Sequence, residues 1–121
     1  MGDISEHFSR KEFACKCGCG FNAVDVQLLS HLERIRKHFG KPVHLTCACR
    51  CLKHNREIGS EDTSQHVRGM AADIWIPDTI PDDIAAYADE YLLKGTGGIG
   101  IYEDFIHIDV REKIARWRNN D

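Results

Sequence analysis

Apolar side chains recur along this chain with two different periods, one typical of helices and one typical of strands. From Val24 to Phe39 an apolar residue returns every three or four positions, as on the buried face of an α-helix. Asn22 is the predicted start of this helix, and Asp25 favours its positively charged N-terminal end. Gly40 directly follows the last apolar residue and predicts the end of the helix.

A second helix is predicted after Thr79. Thr79 and Asp82 have the spacing of a capping box, and Pro81 between them suits the first helical turn. The buried stripe of this helix is predicted to contain Ile84, Ala88, Tyr91 and Leu92.

Four other segments alternate between apolar and polar residues, which predicts strands at residues 43–50, 71–77, 98–102 and 105–110. Helices and strands in this order favour a single α+β domain spanning residues 1–121, in which residues 1–20 form a cysteine-containing N-terminal arm. We expect an antiparallel sheet with helices on one face and a cleft on the other.

The alternation also places polar side chains on the sheet face that points away from the helices. The polar residues on this face, contributed by four strands, are Arg50, Asp73, Tyr102, His107 and Asp109. Gly98 and Gly100 fall on the same face, where the missing side chains would leave room. Titratable groups that converge from separate strands predict a functional site there.

The composition is that of an ordinary globular protein, and it narrows the choice of partners. Of the 121 residues 42% are hydrophobic and 29% are charged, so we expect a monomer that folds without a partner. The net charge is −3 and Lys and Arg are scattered, which argues against binding to nucleic acid. No apolar run approaches the roughly 20 residues of a membrane span. Residues 1–11 lack the apolar middle of a signal peptide, so we expect the chain to be cytoplasmic as encoded.

The cysteines form two short runs with the pattern C-x-C-x-C. They are Cys15, Cys17, Cys19, Cys47, Cys49 and Cys51. This spacing differs from the C-x-x-C of common structural zinc sites. Three states remain open: free thiols, as expected in a reducing compartment, disulfides between the runs, or a second metal that ties the arm to the first strand.

Residue types on the polar face suit a catalytic metal ion. Two imidazoles and one carboxylate are a common zinc-binding set that leaves one position open for water. His66 and His107 would supply the imidazoles and Asp73 the carboxylate, to hold one zinc ion. Zinc lowers the pKa of its bound water to about 7. Asp104 lies three residues before His107 and would accept the proton from that water.

Two motifs at these positions resemble those of the D-alanyl-D-alanine metallopeptidases. Residues 64–74 read SQHVRGMAADI and match the pattern S-x-H-x-x-G-x-A-x-D. Residues 104–109 read DFIHID, with an acid three positions before the last histidine. That family includes zinc D,D-carboxypeptidases, vancomycin-resistance dipeptidases, bacteriophage endolysins and the hedgehog signalling domain. The resemblance covers residues 8–117, nearly the whole chain.

The resemblance implies a role for each residue that matches a motif. It implies that His66, Asp73 and His107 bind the zinc ion and that Asp104 is the catalytic acid and base. Arg50 would hold a substrate carboxylate or the developing oxyanion. The residues predicted to bind substrate or to support the ligands are Ser64, Asn55, Tyr102 and Asp109.

Two positions depart from the family pattern. Residues 47–49, before Arg50, read Cys-Ala-Cys where the family usually has Ser-Gly-Tyr. Phe105 stands where a second histidine often precedes the last ligand. Both positions adjoin groups that would stabilise the transition state.

The predicted function is therefore zinc-dependent hydrolysis of peptidoglycan stem peptides, of the D,D-carboxypeptidase or endopeptidase type, in a hedgehog/D,D-peptidase-like fold. The alternative is a non-catalytic, zinc-bearing binding module of the same fold, as hedgehog domains illustrate. Release by a partner, as with phage lysis enzymes, would bring the chain to the cell wall.

Overall fold

The computed structural model describes residues 4–15, 24–47 and 69–118, which contain one sheet and the helices that cover it. The strands are β1 (His44–Cys47), β2 (Ala71–Trp75), β3 (Gly98–Ile101), β4 (Ile106–Asp109) and β5 (Ala115–Arg118). The helices are α1 (Val26–Phe39) and α2 (Pro81–Tyr87), and a π-helical segment, Ala88–Leu93, continues α2. A short 3-10 helix, Arg10–Phe13, lies in the N-terminal arm.

The strands form one sheet in the order β1-β2-β4-β3-β5. The pairings β1–β2, β2–β4 and β3–β4 are antiparallel, as predicted, whereas β5 pairs with β3 in parallel. The expectation of an entirely antiparallel sheet is therefore wrong at this edge. The α+β architecture is confirmed, with the sheet one strand larger than the alternation predicts.

Strand β5 escaped prediction because arginines occupy the positions that face the helices. Arg116 donates to the Asp89 carboxylate at 2.8 Å, and Arg118 donates to the Asp82 carboxylate at 3.1 Å. An edge strand tolerates such charges, which also discourage pairing with other chains. The apolar stripe expected of a buried strand is therefore missing from this segment.

Helix α1 shows the predicted stripe and the predicted end. Gly40 adopts a left-handed conformation, with φ 66°, and its N–H donates to the Arg36 carbonyl. The predicted start is wrong, because Asp25 rather than Asn22 caps the helix. The Asp25 carboxylate accepts a hydrogen bond from the Leu28 N–H at 3.0 Å, which fixes Val26 as the first helical residue.

Helix α2 begins at Pro81, in agreement with the predicted first turn. The predicted capping role of Thr79 is wrong, because its hydroxyl lies 3.0 Å from the Pro77 carbonyl, to which it donates. The prediction that Tyr91 lies in the buried stripe is also wrong, since this residue is 49% exposed. The π-helical turns around it change the residue spacing, and Leu92 and Leu93 become the buried pair.

The core lies between the helices and one face of the sheet. It contains Leu28, Leu32 and Ile35 from α1, Ile84 from α2, and Ile74, Ile99, Ile106 and Ile108 from the strands. Phe8 and Phe13 anchor the N-terminal arm in this core, with their rings edge-to-face at 6.1 Å. Among the described residues, no helix is long and apolar enough to cross a membrane.

Candidate metal centre

Four residues form a row across the sheet on the face opposite the core. Asp73 on β2 pairs with His107 on β4, and His107 pairs with Gly100 on β3. Gly100 pairs in turn with Trp117 on β5. Because residues directly opposite each other in paired strands point to the same face, the row brings these groups together. Asp73 and His107 therefore lie on the side of the sheet on which the alternation placed them.

His107 is held by a carboxylate at each ring nitrogen. Its Nδ1 lies 3.1 Å from Asp73 Oδ1, and its Nε2 lies 2.7 Å from Asp109 Oδ2. A carboxylate only accepts hydrogen bonds, so a proton on Nε2 accounts for the contact with Asp109. The contact between Nδ1 and Asp73 Oδ1 then needs a second ring proton, or a metal ion bound by both atoms in its place.

This pair of donor atoms fits a zinc ion. Tetrahedral zinc with bonds of about 2.0–2.1 Å places neighbouring donors about 3.3 Å apart. The 3.1 Å between His107 Nδ1 and Asp73 Oδ1 is close to that separation. Within residues 4–15, 24–47 and 69–118, no group of three or more metal-binding side chains comes together. The third predicted ligand, His66, lies outside these described residues.

Asp109 supports the row from below the surface. Its carboxylate is fully buried and accepts a hydrogen bond from His107 Nε2 at 2.7 Å. It also accepts hydrogen bonds from Arg111 Nε at 2.9 Å and from Arg111 Nη2 at 2.6 Å. The Arg111 backbone N–H also donates to it, at 3.1 Å. Burial by itself raises the pKa of this carboxyl, but the hydrogen bonds from His107 and Arg111 outweigh that effect. The pKa of Asp109 is therefore held well below its usual range, and the group is ionised.

The two glycines on this face do not leave open space, in contrast to the prediction. A Cβ on Gly98 would collide with the Asp109 carboxylate, and a Cβ on Gly100 would collide with the Trp117 indole. The absence of side chains thus admits two neighbouring side chains rather than a substrate. Both positions favour glycine for the same reason, since any larger residue would overpack the row.

Sequence reasoning missed two residues of this site, Arg111 and Trp117. The Trp117 ring centroid lies 5.1 Å from that of His107, and Trp117 Nε1 donates to the Tyr102 hydroxyl at 3.0 Å. The Arg111 guanidinium lies 5.6 Å from the ring. The sequence signal was Gly100, which pairs with Trp117, because a glycine inside a strand often marks the close approach of a neighbour.

The remaining predicted residues divide into those that the structure describes and those that it does not. Tyr102 accepts the hydrogen bond from Trp117 and stacks on Phe105 with ring centroids 4.5 Å apart. Asp104 is exposed in the turn between β3 and β4. The predicted residues outside the described part are Arg50, Asn55, Ser64 and His66.

The choice between free thiols, disulfides and a second metal site at the cysteines stays a prediction. Cys15 is buried beside the 3-10 helix of the arm. Cys17, Cys19, Cys49 and Cys51 lie outside the described residues, as does the Cys47 side chain.

A comparison with protein families decides the assignment. The family model described as Peptidase M15 matches residues 6–109 of the 121. The chain belongs to the peptidase M15 family. This confirms the resemblance to the D-alanyl-D-alanine metallopeptidases, a family whose members are typically metal-dependent peptidases. A search of curated proteins found no match.

Membership gives the row on the sheet a chemical context. The match includes Asp73, Asp104 and His107 and ends at Asp109. In an M15 peptidase, a histidine and a carboxylate whose donor atoms face each other on one side of a sheet have the chemistry of metal ligands. Asp109, bonded to the far nitrogen of His107, stands where a carboxylate would orient a metal-binding imidazole.

Proposed function

We propose that this chain is a zinc-dependent peptidase that hydrolyses peptide bonds in peptidoglycan stem peptides. The observation that supports it most is the arrangement of His107, whose Nδ1 faces Asp73 while Nε2 is fixed by Asp109. The family supplies the reaction class, and the motifs at residues 64–74 and 104–109 suggest the substrate class.

In this proposal His66, Asp73 and His107 hold one zinc ion. Bound zinc would supply a water molecule with a pKa of about 7 and would polarise the scissile carbonyl. Asp109 keeps the His107 ring in one orientation and one tautomer, so that Nδ1 presents its lone pair. Because Arg111 neutralises the buried Asp109 charge, this support is present without an unpaired ion in the interior.

Asp104 is the proposed acid and base. It lies in an exposed turn three residues before His107, where a substrate and a water molecule have access. As a base it would take the proton from the attacking water, and as an acid it would return it to the leaving amine. Arg50, with Asn55 and Ser64, would bind the substrate carboxylate or the oxyanion.

Asp104→Asn tests this role directly. We expect the variant to retain zinc and to lose about 10²–10⁴-fold in kcat on muropeptides, because the amide cannot accept the proton. Glu90→Gln is the matched control, since Glu90 is an exposed carboxylate on the helical side. Full activity of zinc-loaded Asp104→Asn would show that Asp104 is not the acid and base.

A muropeptide digest read by mass spectrometry tests the reaction itself. We expect zinc-loaded protein to cut stem peptides and the cutting to stop with a chelator. The mass of the products separates loss of a terminal residue from internal cleavage. Zinc-loaded protein that binds muropeptides but cuts none would favour the alternative, a non-catalytic binding module.

A further inference from the structure

A groove of about 530 Å³ lies beside the candidate metal centre, where β2 ends and β4 begins. Trp75 and Phe105 form part of its wall. Trp75 follows Asp73 by two residues and Phe105 precedes His107 by two, so they continue the same face of the sheet. At about 3.3 Å per residue, the groove begins about 7 Å from the metal-binding atoms. An extended peptide covers that distance with two residues.

The wall of this groove is aromatic and its rings are fixed. Trp75 stacks on His44 with centroids 4.4 Å apart, and Phe105 stacks on Tyr102 with an angle of 5° between the ring planes. Ile80 adds an exposed aliphatic side chain from the loop before α2. The groove therefore offers an ordered apolar surface that suits the methylene groups of a substrate side chain.

Among the described residues, those at the rim of the groove are negatively charged. Asp78, Glu103 and Asp104 line it, and none of these carboxylates forms a salt bridge with another described residue. Lys41 lies nearby, but its Nζ contacts the Asp78 backbone carbonyl and the Thr79 hydroxyl, each at 3.5 Å. The described lining contains no Lys or Arg. The charge of the described rim is thus complementary to a cation on the ligand.

We propose that this groove selects a substrate residue whose aliphatic side chain ends in a primary ammonium group. The inference rests on the proposed function and specifies its substrate: a stem peptide with a diamino acid about two residues from the bond that is cut. The methylene groups lie on Trp75 and Phe105, and the ammonium group binds Asp78 and Glu103. Asp104 remains available for proton transfer. A neutral or anionic side chain gains the apolar contact without the ion pairs.

Two peptides that differ only in acetylation of the side-chain amine test this selection. Hydrolysis is measured with zinc-loaded protein, and binding is measured by calorimetry with zinc-loaded Asp104→Asn, in which cleavage is blocked. We expect acetylation to weaken binding and to raise KM by about three- to tenfold, because two partly exposed ion pairs are lost. We expect kcat to change little.

The double variant Asp78→Asn with Glu103→Gln identifies the groups responsible. Asparagine tolerates the left-handed backbone at position 78, where φ is 56°. We expect this variant to bind and cut the two peptides equally well, with the acetylated peptide unaffected by the substitutions. Glu90→Gln, on the helical face, should keep the wild-type preference.

The outcomes separate this inference from the proposed function. Equal affinity of Asp104→Asn for the two peptides, or a preference that survives the double variant, would overturn the selection by the groove. If neither peptide is cut but the free amine still binds more tightly, the groove proposal stands and the peptidase proposal fails.

Discussion

Strand β4 carries two kinds of buried residue on its two sides, and they stabilise the protein in different ways. Ile106 and Ile108 face the helices and lie in the core. His107 and Asp109 face the other way and are also buried, but each is fixed by hydrogen bonds to charged partners. The stability contributed by the first side depends on buried apolar area and close packing. The stability contributed by the second side depends on each buried charge having a partner. Substitutions on the two sides should therefore have different consequences.

The largest effect on stability is expected on the side of the helices. Ile108→Ala should lower the free energy of unfolding by about 2–5 kcal/mol, because it leaves a cavity among fully buried side chains. Ile114→Ala is the matched control: Ile114 is 57% exposed, and the change should stay within about 0.5 kcal/mol. Urea denaturation measures both values. Equal effects of the two substitutions would contradict this description of the core.

Asp109→Asn should affect both metal binding and stability. The amide can no longer orient His107 as a carboxylate does, so zinc affinity should fall about 10–100-fold. Arg111 would also lose its charged partner, and the free energy of unfolding should fall by about 1–3 kcal/mol. Zinc titration and urea denaturation measure the two effects.

Asp82→Asn is the control for Asp109→Asn, because Asp82 also pairs with an arginine, Arg118, but at the surface. The change there should cost less than about 1 kcal/mol and should leave zinc affinity unchanged. If Asp82→Asn matched Asp109→Asn in both measurements, burial would not be what distinguishes the two ion pairs.

A smaller, pH-dependent effect is expected from His31 on the helical side. His31 is buried, and neither ring nitrogen has a hydrogen-bond partner among the described residues. Burial and the nearby Arg34 charge lower the pKa of His31 below 6.5, although Asp25 opposes the change. Protonation therefore favours the unfolded state. The stability contribution is complete above pH 6.5 and is lost as the pH falls below that value toward the folded-state pKa.

The comparison of wild type with His31→Leu isolates this contribution. Between about pH 7 and about pH 5.5 the wild type should lose more stability than the variant, since only the wild type binds a proton at this position on unfolding. Urea midpoints at the two pH values measure the difference. Parallel losses in the two proteins would show that His31 does not titrate on unfolding.

The two sides of the sheet also differ in how well the sequence predicts them. The alternation along β2 and β4 placed Asp73 and His107 opposite the isoleucines, because the period of a strand is a strict consequence of its geometry. The same rule placed Asp109 and Tyr102 correctly on that face. The alternation could not show that the space beside Gly98 and Gly100 is occupied, because the side chains that occupy it, Asp109 and Trp117, come from other strands.

The errors have two physical origins, contacts between residues distant in sequence and local helix geometry. Arg116 and Arg118 gave β5 the appearance of a solvated tail, since their partners Asp89 and Asp82 are distant in sequence. Tyr91 was expected to be buried because a π-helical turn cannot be distinguished from an α-helical one by apolar spacing alone. The predicted roles of His66 and Arg50 stay predictions, because both residues lie outside the described part of the chain.

The most direct test of the metal centre is the zinc content of purified His107→Ala. We expect wild type to bind one zinc ion more per chain than His107→Ala, as measured by elemental analysis, with Asp73→Asn showing the same loss. His44→Ala, an exposed histidine on β1, should keep the wild-type content. Wild-type zinc content in folded His107→Ala and Asp73→Asn would contradict the proposed centre.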